Sequence, residues 1–311
     1  MTVNERIEEI LKGNKDLKRG SDEEFSFTRI PFGIPVLDKL AGGGIPKKKM
    51  TIFTGQSNAG KTYLAMKVAV QVQKDGGIVA WVDTEMTWDA KWAEACGIDT
   101  DNIIVYQPTT GEEAFDTLEI LFKSSVDLVV LDSIAGLVPA NLMNEDFSYT
   151  PMAWQARFVN SSLPRIFPHL KLGSAFIAIN QVRQSLGPVS FVNMPGGIGQ
   201  NFYAHSIFEL KRNGWIEEEK VKVGFDISIR LRKTKVGGKA FQAVDVPFRL
   251  EGGIDMIEVL IRDALNAKTI EQRGAWYNMF GEKYQGSNSL RAAILADSKL
   301  QEKLEMETYK N

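Results

Sequence analysis

Apolar residues along this chain fall into short runs separated by segments with helical spacing. Met50–Thr54, Ile78–Asp83, Asn102–Tyr106, Leu128–Asp132 and Ser174–Ile179 read as buried strands. Thr62–Lys74 carries Leu64, Val68, Ala69 and Val72 on one helical face, and 90–96, 111–123 and 152–172 also predict helices. Pro164 and Pro168 fall inside the last of these, so a kink or break is expected there. Strands alternating with helices predict a mostly parallel, twisted sheet covered on both faces, an α/β fold. Ahead of it, residues 4–12 place Ile7, Ile10 and Leu11 on one face of a short helix, and a polar linker follows to residue 24. Beyond about residue 203 strands continue without intervening helices. Phe225–Arg232 alternates apolar and polar, Phe241–Leu250 follows, and the pair predicts antiparallel strands added at one edge. From Asp255 onward the pattern is helix-rich, with helices expected over Asp255–Leu265 and Ser289–Glu305 and Gly274–Tyr277 between them. The expected division is 1–24, a core over 25–254, and a small α+β domain over 255–311.

A chain of 311 residues has room for one large domain and a small appendage. A 44% hydrophobic content with 24% charged residues suits a chain that buries a core. No apolar run reaches the roughly 18 residues a membrane span needs, and the charged stretch 1–18 lacks the apolar region of a signal peptide. One cysteine, Cys96, excludes an internal disulfide framework and fits a reducing cytoplasm. With only His169 and His205 beside it, a structural zinc site is not expected. The net charge of −2 neither advertises nor excludes nucleic acid, because local patches and backbone donors can hold phosphates on an acidic protein.

The candidate chemistry begins at Gly55-Gln56-Ser57-Asn58-Ala59-Gly60-Lys61-Thr62, which fits G-x-x-x-x-G-K-[ST] between a predicted strand and a predicted helix. Glycines let such a loop curl its N–H groups toward a phosphate at a helix N-terminus. Lys61 is the phosphate-reaching cation and Thr62 a magnesium ligand. Tyr63, next in the chain, is counted with the nucleotide-binding residues. Asp132 ends an apolar strand, where P-loop proteins place a carboxylate that contacts the magnesium ion, usually through water. A carboxylate near the end of the 78–83 strand could orient the attacking water, and Glu85 and Asp83 both qualify by position.

Around these residues the chain resembles the bacterial RecA recombinase family over roughly residues 30–280. The segments that carry the resemblance are VDTEMTWDAKWAEACGIDTDNIIVYQPTTGEEA (82–114), DLVVLDSIAGLVP (127–139), AINQVR (178–183), GGIGQNFYA (196–204) and KTK (233–235). The resemblance implies a P-loop core of the RecA type. It also implies that Glu85 is the catalytic carboxylate, that Asp89 and Trp92 contact and stack on adenine, and that Gln181 senses the γ-phosphate. Lys233 and Lys235 would reach the ATP of a neighbouring protomer, and Phe202 would wedge into that neighbour. Each has a plainer alternative: Trp92 as core, Phe202 packed within its own sheet, the lysines as solvated strand-end charges. Asn201 stands where the family usually has an interface lysine, and Trp92 where it has a tyrosine.

Two stretches resist assignment to regular elements, 140–151 and 184–199, and irregular loops of that length are usually functional. They correspond in position to the family's two DNA-binding loops. Met152, Arg157, Arg183, Leu186, Val189, Gly196 and Gly197 are the expected DNA contacts, with Lys211 and Arg212 a secondary basic pair. The expected activity is DNA-dependent ATP hydrolysis with Mg²⁺ at protomer interfaces of a helical filament on single-stranded DNA, driving pairing and strand exchange with homologous duplex. Single-strand-binding or mediator proteins are further candidate partners, no membrane is involved, and the setting is the cytoplasm of a bacterial cell or a phage-infected host. The rivals are a ring helicase of the same sheet type and a non-catalytic ATP-binding accessory.

Overall fold

Four strands buried along almost their whole length set the architecture. The computed structural model describes residues 1–142, 152–184, 192–193 and 195–310. In chain order the helix α1 (Val3–Gly13) is followed by β1 (Arg29–Ile30), α2 (Pro35–Ala41), β2 (Ile45–Pro46) and β3 (Met50–Gly55). Then come α3 (Lys61–Lys74), β4 (Val79–Asp83), α4 (Ala90–Ala95), β5 (Ile103–Tyr106), α5 (Gly111–Lys123) and β6 (Leu128–Asp132). The second half of the core holds α6 (Met152–Ile166), β7 (Ala175–Gln181), β8 (Arg183–Gln184), β9 (Val192–Asn193) and α7 (Gln200–Tyr203). It closes with β10 (Ser206–Glu218), β11 (Val221–Thr234), β12 (Ala243–Arg249) and β13 (Gly253–Ile254). Last are α8 (Met256–Asn266), β14 (Ile270–Arg273), β15 (Trp276–Met279), β16 (Glu282–Gln285), α9 (Ser287–Ala296) and α10 (Ser298–Tyr309).

The main sheet has nine strands in the order β13-β12-β11-β10-β3-β7-β6-β4-β5. Its β10-β3-β7-β6-β4-β5 portion is parallel, and β11, β12 and β13 extend it antiparallel at one edge. β3, β4 and β6 are buried at every position and β7 at all but its last, as strands covered on both faces must be. On one face α3 packs over the sheet near an aromatic trio, Phe32, Phe53 and Phe208, with ring centroids 5.4–6.1 Å apart. On the other face Phe122 of α5 meets Phe176 of β7 edge-on at 5.3 Å. A third apolar cluster joins α8, α9 and α10 through Leu260, Ala264, Leu290, Ile294 and Leu304.

Most expected strands and helices stand within two residues of their reading, and β11 begins four residues ahead of the expected Phe225. The break at the prolines is present: α6 contains Pro164 and stops at Ile166, and a tighter 3₁₀ stretch, Phe167–Leu172, carries Pro168. Three features differ. β10 runs 13 residues, most of its second half exposed, inside the region expected to be strands but at bounds the pattern does not mark. Residues 270–285 form a three-stranded antiparallel sheet, the strand part of the expected α+β domain, at positions to which the pattern gives no strand. The helix expected over Ser289–Glu305 is two helices, because Asp297 leaves helical geometry and its carboxylate caps α10 by accepting from Lys299 N and Leu300 N. α1 begins with a capping box between Thr2 and Glu5 and buries none of its residues. No helix among the described residues is long and apolar enough to cross a membrane.

Candidate nucleotide site

The site is built where parallel strands end. β3 delivers Gly55 against β10 so closely that a Cβ there would lie 2.2 Å from Leu210 O; only glycine fits. The loop Gln56–Ala59 then curls, with Asn58 at φ 58°, and Gly60 at φ 85° caps α3. A Cβ on Gly60 would meet Ile227 Cδ1 of β11 at 2.7 Å. Gln56, Ser57 and Asn58 are exposed, and the N-terminus of α3 lies beside them, a place that favours an anion.

Lys61 is only 6% exposed, and its Nζ donates to Gln56 O at 2.7 Å. Burial pulls the ammonium pKa down, while Asp132 and Glu85 push it back up. Thr62 Oγ1 donates to Asp132 Oδ2 at 2.9 Å. Burial pushes the Asp132 carboxyl up to about 7, against the Thr62 hydrogen bond; Glu85 and Asp83 add to the rise. A hydroxyl and a carboxylate side by side are hard oxygen ligands of the kind Mg²⁺ prefers, and a cation between them would hold Asp132 ionised. Among the described residues no group of three or more His, Cys, Asp or Glu could hold a metal by itself. Mg²⁺ needs no such cage when substrate phosphates complete its shell.

Glu85 and Asp83 are told apart by their partners. Asp83 is 1% exposed and its carboxylate is occupied by Glu85 N (3.2 Å), Trp88 N (2.8 Å) and Gln107 Nε2 (2.9 Å). It holds the turn after β4. Glu85 is exposed to the cavity, and its Oε1 accepts from Ser133 Oγ at 2.5 Å and Gln181 Nε2 at 3.0 Å. Ser133, fully buried after Asp132, was not among the expected site residues; its place at a strand end was the available signal.

The cavity these residues surround measures about 410 Å³ and is lined by Ser57–Tyr63, Glu85, Thr87, Trp92, Asp132, Ile179, Gln181, Phe225 and Phe248. Trp92, 43% exposed, faces it rather than the core. Asp89 lies outside the lining and caps α4 by accepting from Trp92 N at 2.9 Å, which fixes the helix that carries the indole. Phe225 and Phe248, missed in the sequence, form an aromatic wall: they stack at 5.1 Å, and Tyr63 meets Phe248 edge-on at 5.0 Å. A larger concavity of about 610 Å³ lies over β14–β16 among Arg273, Trp276 and Lys283, with no phosphate loop near it.

Lys233 and Lys235 are not in this cavity. Lys233 pairs with Ile207, and Ile207 with Ile52, whereas the P-loop leaves β3 at Gly55. They sit toward the opposite end of the strands. Lys233 Nζ donates to Asn201 O, and Lys235 Nζ to Phe202 O at 2.8 Å. Burial lowers the Lys233 pKa, and Lys235 lowers it further. Phe202, on α7, is 74% exposed.

Of the expected DNA contacts, Arg157 is exposed on α6 with its guanidinium 5.6 Å from the Trp154 ring. Leu186 and Val189 lie outside the described residues, as do the side chains of Met152 and Arg183. Gly196 is buried: a Cβ there would press on Ile134 at 2.8 Å, and one on Gly197 would press on Ala156 at 2.9 Å. Arg212 lies over Trp215 and Phe225, and Lys211 is exposed beside it on β10.

A P-loop at the end of a parallel strand, a buried lysine, a hydroxyl–carboxylate pair between Thr62 of α3 and Asp132 of β6, and an aromatic wall define a P-loop nucleotide-binding protein. The chain matches the family described as RecA N-terminal domain over residues 2–255. It is 32% identical over 291 residues to Protein RecA of Trichodesmium erythraeum, covering 92% of this chain and 79% of that one. To Protein RecA of Aquifex pyrophilus it is 34% identical over 284 residues, 89% and 81% of the two chains. To Protein RecA of Francisella tularensis subsp. novicida it is 36% identical over 260 residues, 82% and 72%. The chain belongs to the RecA family.

Proposed function

We propose that this chain is an ATP-dependent recombinase that polymerises on single-stranded DNA, pairs it with homologous duplex and exchanges strands, hydrolysing ATP at the seams between protomers. The observation that carries this reading is the arrangement of the cations. Lys61 belongs to the cavity, whereas Lys233 and Lys235 are displaced toward the far end of the sheet, a position that suits presentation to the nucleotide of a second copy.

Backbone N–H groups of the loop after Gly55, together with Lys61, would hold the phosphates, and the α3 N-terminus adds its partial charge. Thr62 and Asp132 would hold Mg²⁺, which would supply charge neutralisation for the phosphates. Trp92 and the Phe225–Phe248 wall would sandwich the base, with Asp89 acting through the helix it caps. Glu85 would orient water and take its proton. Gln181 and Ser133 now share one Glu85 oxygen. An incoming γ-phosphate would compete for the Gln181 amide, and the end of β7 would change its partners. Gln181 is three residues from the start of the second candidate DNA loop, at 184. The core 25–254 carries this chemistry, with 1–24 docking on a neighbour and 255–311 as the appended domain. Arg157 and the 140–151 and 184–199 segments would face the DNA, and single-strand-binding or mediator proteins are the natural further partners in a bacterial or phage-infected cytoplasm.

Glu85→Gln tests the assignment. Single-stranded DNA binding with ATP stays within about twofold of the parent, and turnover falls by about 10²–10⁴, the usual contribution of a general base. Turnover at the parental rate would remove Glu85 from the reaction.

A further inference from the structure

Behind the nucleotide cavity lies a polar contact that no phosphate chemistry requires. Gln200, the first residue of α7, is fully buried. Its Nε2 donates to Pro195 O at 2.6 Å and to Gly197 O at 2.8 Å, and its Oε1 accepts from Asn180 Nδ2 at 2.9 Å. Asn180 Nδ2 also donates to Pro195 O at 2.8 Å. The amide orientations follow from the partners: Pro195 O and Gly197 O only accept, so Nε2 must face them and Oε1 must face Asn180. Asn180 Oδ1 is buried with no hydrogen-bond partner.

The knuckle is shaped around this amide. Gly196 and Gly197 have φ of 80° and 75°, the left-handed region that suits glycine, and the turn presents the carbonyls of Pro195 and Gly197 to the amide. A Cβ on Gly196 would come within 3.3 Å of Gln200 Nε2, and one on Gly199 would strike Asn160 Oδ1 at 2.0 Å. The carbonyls of the next two residues, Asn201 and Phe202, hold Lys233 and Lys235. A buried, hydrogen-bonded connection therefore runs from the strand end bearing Gln181, through Asn180 and Gln200, to the exit of the second candidate DNA loop. From there it reaches the helix carrying Phe202 and the two displaced lysines.

We propose that Gln200 is a positioning residue that ties the nucleotide state of β7 to the exit of the 184–199 segment and to the seam helix α7. The inference rests on the recombinase reading above and adds to it a residue that touches neither nucleotide nor DNA. Moving Pro195–Gly197 away from β7 means breaking both Gln200 donor bonds and leaving a buried amide unpaired, which is costly. The knuckle and the strand end then move together. The open Asn180 acceptor marks where a second arrangement would find a donor.

The test is the ratio of single-stranded DNA affinities measured with and without ATP. It is read for the parent, for Gln200→Met, which keeps volume and loses the amide, and for Gln200→Glu, whose carboxylate cannot donate to either carbonyl. Nucleotide affinity, DNA-free ATP turnover and thermal melting are recorded alongside. Both variants are expected to keep nucleotide affinity and DNA-free turnover within about twofold while the ratio falls by about tenfold or more, within the usual span of allosteric couplings. A parental ratio in either folded variant overturns the inference, and so does a fall in ratio that merely follows a loss of nucleotide affinity or melting temperature. A parent whose ratio is already one overturns the recombinase reading instead.

Discussion

Replacing Lys233 and Lys235 together with alanine separates nucleotide binding from turnover. From Ile52, the level of Lys233, to Gly55, where the P-loop begins, is three residues, roughly 10 Å at about 3.3 Å each. Both ammonium groups are engaged by α7 carbonyls, so the isolated double variant should bind nucleotide like the parent. In the assembled state each lysine would face a neighbour's phosphates. One charge pair at about 4 Å is worth about 4 kcal/mol at an effective dielectric near 20. Leaving a carbonyl acceptor costs about 1.5–3 kcal/mol for a charged donor. The net is about 1–2.5 kcal/mol per lysine, or about 2–5 kcal/mol for the pair, which slows DNA-stimulated hydrolysis roughly 30- to 5,000-fold. The assay is steady-state ATP hydrolysis on single-stranded DNA, for the double variant alone and mixed with Lys61→Ala protein. Mixing creates seams with an intact P-loop on one side and intact lysines on the other, so activity should reappear between two inactive preparations. Failure of the mixture to exceed the sum of its parts, with assembly verified, would refute action across the seam. Lost nucleotide affinity in the isolated double variant would place the lysines in their own cavity.

Trp92→Ala should weaken nucleotide binding by about 1–3 kcal/mol, roughly 5- to 150-fold, while Trp92→Tyr retains most of the affinity; equal dissociation constants for parent and Trp92→Ala would remove the stacking role. Asp255 joins Arg249 of β12 (2.6 Å) to Arg291 of α9 (2.9 Å) and caps α8, with its side chain 4% exposed. Asp255→Ala strands both guanidinium groups, each partly in water, and should cost about 3 kcal/mol in a denaturant melt; a loss under about 1 kcal/mol would contradict the tie. His205 stacks on Phe167 at 6.0 Å, and burial, reinforced by Lys49, Lys235 and Lys233, lowers its pKa to about 4. A neutral-favouring histidine of this kind contributes stability that is full above its unfolded value near 6.5 and is lost as pH falls through 4. His205→Gln should therefore flatten the fall of melting temperature between pH 6.5 and 4, and an unchanged slope would show that His205 does not carry it.

The P-loop was legible because its chemistry is local: glycines, lysine and threonine in one run between an apolar strand and a helix. Asp132 was legible for the same reason, as the acid closing LVVL. The contest between Glu85 and Asp83 could not be settled by spacing, because the three groups that occupy Asp83 include Gln107, from beyond the neighbouring strand. The aromatic wall needed strand order. Phe225 reaches the cavity because β10 and β11 continue the sheet beside β3, and nothing in FDISIRLR says which edge it joins. β10 escaped notice because KRNGWIEEE is polar and its exposed half follows a two-stranded ribbon with register shifts near Arg212 and Ile216. The 270–285 sheet hid in strands of four residues each, too short to show a period. Gln200 hid behind glycines, since a polar residue after GGIG reads as loop until its three partners are seen.

The central claim is that nucleotide held where two copies meet governs the grip on DNA. Its most direct measurement is ATP hydrolysis as a function of protein concentration, with and without a single-stranded oligonucleotide long enough for several protomers. The account predicts negligible turnover in dilute protein alone, a cooperative rise with concentration and a large stimulation by the oligonucleotide. A specific rate independent of concentration and of added DNA would contradict it.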